Sequence, residues 1–129
     1  MKKVSVVIPM YYEEEVAREC YQRTKKVLEE LQDYDYEMIF VNDGSKDKTL
    51  EILENTAKED NKVKVISFAR NFGHQVAVTA GLRYVTGDCI LIIDSDMQDP
   101  PELLPEMIKL WEDGNEVIYG KRKTRKWAI

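Results

Sequence analysis

Two aspartates, Asp94 and Asp96, follow the most apolar stretch of the chain, residues 89–93. On an extended segment, residues two apart project to the same side, so both carboxylates can share one cation. Oxygen-only ligands suit Mg²⁺ or Mn²⁺, and Mg²⁺ typically takes one or two carboxylates plus substrate phosphates. The competing reading is an acidic turn leaving a strand. Asp43, within Asn42-Asp43-Gly44-Ser45, is a second candidate. Its carboxylate can accept a hydrogen bond from the ring N–H of uracil or guanine, which adenine and cytosine lack at the equivalent position. Equally, Gly44 and Ser45 can make it an ordinary turn residue. Tyr11 can pack on a base or ribose, or lie as a lid over a sheet edge. His74, the only histidine, reads as a residue near the start of a helix with no catalytic role.

These residues need elements to hold them. Apolar, β-branched runs at 3–9, 36–42, 63–68, 89–93 and 116–119 read as strands. Helical spacing falls between them, at 13–31, 48–58, 73–85 and 100–113. This alternation predicts an α/β fold: βαβ units forming a mostly parallel sheet with helices on both faces. Asp99 is expected to cap the last helix, with Pro100 at its first position, Glu102 completing a capping box and Gly114 ending it. In an open parallel sheet, ligands bind outside the carboxyl ends of the strands. Pro9 to Glu13, Asn42 to Ser45, Arg70 to Gly73 and Asp94 to Asp99 should therefore converge on one edge.

Bulk properties narrow the classes. A length of 129 residues is one domain with one real core. A formal charge of −5 argues against nucleic acid as a partner. Lys121, Arg122, Lys123, Arg125 and Lys126 crowd the C-terminal end, which reads either as a solvated tail or as a face for anionic lipid. Cys20 and Cys89 fit reduced, core-facing thiols and a cytoplasmic setting. The N-terminal apolar run is short and broken by Pro9, so it reads as a strand and not a signal peptide. No run approaches the ~18 apolar residues of a membrane span. Neither a Gly-x-Gly-x-x-Gly nor a Walker loop follows the first strand. A phosphate-receiver reading fails too, because Met10-Tyr11 and Arg70-Asn71 stand where it needs acidic residues.

The stretches VVIPMYYEE, FVNDGSKDKT, FARNFGHQVAVTAGL and LIIDSDMQDPPELLPEMI occur in an order that resembles family 2 glycosyltransferases. The nearest resemblance is to the branch of dolichyl-phosphate mannose synthases and bactoprenol glucosyltransferases. It covers nearly the whole chain as the first part of a Rossmann-like GT-A nucleotide-sugar-binding domain, residues 1–129. The resemblance implies that Pro9, Tyr11, Glu13, Val41 and Asp43 hold the nucleoside, with Arg70 near the base or phosphates. It implies that Asp94 and Asp96 hold the cation, while Ser95 and Gln98 line the diphosphate and sugar. The implied reaction passes a hexose from a UDP- or GDP-linked sugar to a polyprenyl phosphate, with inversion. Its acidic catalytic residue is expected beyond Ile129, and the full protein at the cytoplasmic face of a membrane. Two rivals stand beside it: a soluble family 2 enzyme acting on a saccharide hydroxyl, and a nucleotide-sugar-binding module without turnover. Self-association through an open sheet edge is also expected. Tyr12 stands where the family commonly has Asn, and Asn42 where it commonly has Asp.

Overall fold

A computed structural model describes residues 1–94 and 100–114, and the backbone of 117–121 and 126–128. Strand β1 (Lys2–Met10) leads to helix α1 (Ala17–Glu29), β2 (Tyr34–Asn42), α2 (Thr49–Glu59), β3 (Val63–Ser67) and α3 (His74–Leu82). Then come β4 (Cys89–Ile92), a 3₁₀ turn (Pro101–Leu103), α4 (Leu104–Glu112), β5 (Val117–Lys121) and β6 (Lys126–Ala128). The sheet runs β3-β2-β1-β4-β5-β6, with β1 to β5 parallel and β6 antiparallel to β5. The expected α/β architecture is present. Chain order reverses direction between β1 and β4, and such switch points are where open sheets place ligands.

Central parallel strands are covered on both faces, which explains the nearly unbroken apolar run in β1. Val4, Val6, Ile8 and Met10 enter the larger core with Leu28 of α1, Leu53 of α2 and Leu104 of α4. Val7 turns the other way, joining Ile39, Val41 and Ile92 beneath Ala77 of α3. Gly81 lets α3 lie close, since a Cβ there would sit 2.6 Å from Val7 Cγ1. Cys20 and Cys89 are both buried and free. Burial pushes both thiols up to about 12, so they behave as inert core residues. Among the described residues, no helix is long and apolar enough to cross a membrane.

Some element ends differ from the sequence reading. Helix α1 starts at Ala17, after a turn in which Val16 and Ala17 both donate N–H to Glu13 O. The last helical segment does not begin at Pro100 as expected. Pro100 is extended (ψ 149), Pro101 begins the 3₁₀ turn, and no side chain caps it. Glu102 receives Arg23 Nε at 3.2 Å, a charge-assisted bond across to α1. Asp99 lies outside the described residues. Gly114 does end α4, at φ +113, with its N–H donated to Trp111 O. Strand β6 begins at Lys126, the last of the crowded basic residues, in a stretch too short to carry a period-two signal in sequence.

One buried carboxylate anchors the end of the sheet away from the strand tips. Glu37 Oε2 accepts Ser5 Oγ (2.6 Å), Thr86 N (2.7 Å) and Thr86 Oγ1 (3.0 Å). Lys64 Nζ lies 2.8 Å from Oε1 and Lys3 Nζ 3.7 Å from it, ion pairs that add positive charge beside the carboxylate. Burial alone would raise this carboxyl; Lys64 and the Ser5 and Thr86 donors outweigh burial and hold it down at about 2. The folded value lies below the ordinary 4.5, so the stabilisation is present above pH 4.5 and lost as pH falls toward 2. It amounts to about 3 kcal/mol. Urea unfolding should find Glu37→Gln less stable than wild type by about that much at pH 7. The gap should close near pH 2.

Candidate functional site

The loops at the carboxyl edge of strands β1, β2 and β3 are tied to one another. Tyr12 donates its N–H to Ser45 Oγ (2.8 Å), and Glu13 donates its own to Thr49 Oγ1 (3.0 Å). The loop after β1 is thus fastened to the loop after β2. Asn42 accepts Ser45 N–H (3.2 Å) and donates Nδ2 to Ser67 Oγ (3.1 Å), pinning β2 to β3. An aspartate there, common in the resembling family, could not donate that second bond.

Asp43 makes the tightest of these ties. Its carboxylate accepts Asn71 Nδ2 (2.9 Å), Phe72 N–H (2.7 Å) and Gly73 N–H (3.0 Å). The residue is only 4% exposed. A carboxylate offers about four acceptor positions, so roughly one is left for anything else. Gly44 makes the arrangement fit: it sits at φ +78, and a Cβ there would lie 2.2 Å from the Arg70 carbonyl carbon.

These ties surround an open cavity of about 480 Å³. Pro9, Met10, Tyr11 and Glu13 line it from the end of β1, and Asp43 from β2. Asn71, Gly73 and His74 line it from the β3–α3 loop, and Asp94 from the end of β4. Asp94 is partly exposed and its Oδ1 lies 3.0 Å from His74 Nε2. Among the described residues, His74 is its one hydrogen-bond partner. A carboxylate facing open space is a hard oxygen donor and fits Mg²⁺ or Mn²⁺. An anionic ligand placed beside Glu13 and Asp94 would also need positive charge between them.

The cavity therefore unites five of the expected residues: Pro9, Tyr11, Glu13, Asp43 and Asp94. Val41 is wholly buried in the smaller core and does not line it. Arg70 lies outside the lining, its guanidinium 4.2 Å over the exposed Phe72 ring. Ser95, Asp96 and Gln98 lie outside the described residues. Asn71 and Gly73 belong to the 70–73 stretch expected at this edge but carried no role of their own, and His74, read only as a helix-start residue, lines the cavity beside them. Their signal was modest: a polar Asn-x-Gly-His turn between a strand and a small-residue helix.

Tyr12 is the one described non-glycine residue with positive φ, at 54°. Left-handed backbone costs an ordinary residue roughly 1–2 kcal/mol, and Asn tolerates it better. That is a physical reason for Asn at this place in the resembling family. Tyr12 is half-exposed and stands edge-on to Tyr11, ring centres 4.7 Å apart. Thermal unfolding should show Tyr12→Asn more stable than wild type by about 1 kcal/mol. An unchanged or lower midpoint would mean that the ring contact outweighs the strain.

The family described as Glycosyl transferase family 2 matches residues 5–129. The uncharacterized glycosyltransferase YkcC of Bacillus subtilis is 52% identical over 122 residues, which are 95% of this chain and 38% of that protein. A bactoprenol glucosyl transferase of Shigella phage SfX is 43% identical over 123 residues, 95% of this chain and 40% of that one. The chain thus spans about two fifths of the curated relatives it matches. Among solved structures, S. aureus TarS 1-349 in complex with UDP-GlcNAc superposes with a TM-score of 0.61 at 26% identity. That match covers 82% of this chain and 32% of the other.

Proposed function

The chain belongs to glycosyl transferase family 2, and from that premise we propose that its strand-end cavity holds the nucleoside diphosphate of a sugar donor. The donor's hexose passes, with inversion, to a polyprenyl phosphate. The observation that carries this reading is the meeting of Tyr11, Asp43 and Asp94 in one cavity at the switch point of the sheet. The likeness to a UDP-GlcNAc complex supports a nucleotide donor, and the bactoprenol relative supports a lipid phosphate acceptor.

In this reading Tyr11 packs on the nucleoside, and Asp43 uses its remaining acceptor position for a ring N–H. Pro9 and Glu13 shape the same side, and Arg70 approaches the base or phosphates from the rim. Val41 acts from beneath, by setting the position of the β2 end. Asp94, with Asp96, would hold Mg²⁺ or Mn²⁺, and Ser95 and Gln98 would face the diphosphate and sugar. A divalent cation bound there would offset the charge that gathers on the diphosphate as the nucleotide leaves. The acceptor's phosphate oxygen forms the new bond to the anomeric carbon while the bond from that carbon to the diphosphate breaks. A phosphate monoester with a second pKa near ~6 is mostly dianionic at pH 7, so this nucleophile needs little help from a base.

Base selectivity is the test. An adenine or cytosine ring leaves Asp43 without its extra donor, which should cost on the order of 1–3 kcal/mol. Calorimetry should therefore rank UDP or GDP about tenfold or more above ADP and CDP. Equal affinities for all four would overturn the assignment of Asp43.

A further inference from the structure

We propose that His74 is a positioning residue for Asp94: its Nε2–H holds the carboxylate in the one orientation in which the other oxygen faces a divalent cation bound with the nucleotide. The inference rests on the reading of the cavity as a nucleotide site. His74 Nε2 stands 3.0 Å from Asp94 Oδ1, across a gap of 20 residues in sequence. An ionised carboxylate only accepts hydrogen bonds, so Nε2 carries the proton and donates it. The two side chains are 48% and 31% exposed, and a contact so open to water contributes little to folding. Its consequence is geometric.

The histidine is itself firmly placed. Asp43 accepts the N–H groups of Phe72 and Gly73, the two residues that directly precede it, and the Asn71 amide before those. The backbone that launches α3 is thus locked to the end of β2, and His74 projects from this fixed base to the end of β4. A flexible carboxylate at a strand end samples several rotamers. One donated bond from an anchored ring selects among them. Residues that orient a metal ligand in this way typically matter 10–100-fold for metal affinity. The same chain of contacts joins the base side of the cavity, at Asp43, to the phosphate side, at Asp94.

The experiment measures UDP and GDP affinity by calorimetry, without metal and with saturating Mn²⁺, for wild type, His74→Ala and His74→Gln. Circular dichroism melts confirm that each folds, which the exposure of His74 favours. The expected result is that His74→Ala lowers the Mn²⁺ enhancement about tenfold while changing metal-free affinity by less than about threefold. His74→Gln, whose amide nitrogen reaches the place of Nε2, should recover the enhancement to within about threefold. An enhancement preserved in His74→Ala overturns the inference and leaves the nucleotide reading intact. A matching loss of metal-free affinity also overturns it, because His74 would then touch the nucleotide directly. Absence of any Mn²⁺ enhancement in wild type overturns the metal reading and this inference with it.

Discussion

Replacing Gly44 with alanine is expected to destabilise the chain by about 3–5 kcal/mol and to weaken nucleotide binding at least tenfold. Two effects combine. Left-handed backbone at φ +78 costs an alanine about 1–2 kcal/mol. The new methyl would also sit 2.2 Å from the Arg70 carbonyl carbon and 2.4 Å from Asn71 N, and neither is a flexible side-chain end. Relief therefore requires the loop of residues 70–73 to move off β2. That movement stretches the bonds from Asn71, Phe72 and Gly73 to Asp43, each worth about 1 kcal/mol and more if the carboxylate is left bare. The floor of the cavity and the launch point of α3 move together. Urea unfolding gives the first quantity and calorimetry the second. A Gly44→Ala chain within about 0.5 kcal/mol of wild type would show that the two loops are not in close contact.

The second large effect concerns Asp94. Mg²⁺ or Mn²⁺ should tighten UDP or GDP binding by roughly tenfold or more, about 1.4 kcal/mol. Asp94→Asn should reduce that enhancement to less than about twofold. The substitution keeps the size and an acceptor for His74, so a loss reports on charge and not on packing. Metal-free binding should stay the same or tighten slightly, because one negative charge beside the diphosphate has gone. Asp96→Ala is expected to abolish the enhancement likewise. Identical affinity with and without the ion in wild type would remove the metal from the account.

Much of this arrangement is legible in the sequence because strands announce themselves. Apolar runs alternating with helical spacing dictate a parallel sheet, and a parallel sheet dictates which ends carry ligands. Strand position alone therefore puts Tyr11, Asp43 and Asp94 on one edge. What sequence does not carry is competition among partners. Asp43 reads as a turn residue or a base acceptor, yet most of its capacity is taken by the next loop, about 28–30 residues away in the chain. His74 reads as a helix-start residue because nothing local points to Asp94. Glu102 reads as a cap because Arg23, 79 residues distant, is invisible at that range. Val41 appears in a family stretch beside Asp43, but strand alternation turns its side chain into the core beneath α3. Each discrepancy arises where a long-range polar contact or a strand's facing outweighs a local preference.

The central claim, that the cavity at the carboxyl edge of the sheet is the nucleotide site, is tested most directly by amide chemical-shift mapping. Titrating UDP or GDP with Mg²⁺ into the isotope-labelled chain should move the amides of Tyr11, Asp43, Gly73, His74 and Asp94, which line the cavity. Those of Glu37 and Thr86, joined in the polar cluster away from the strand tips, should stay in place. Shifts centred on Glu37 and Thr86, or no shifts at millimolar nucleotide, would contradict the account.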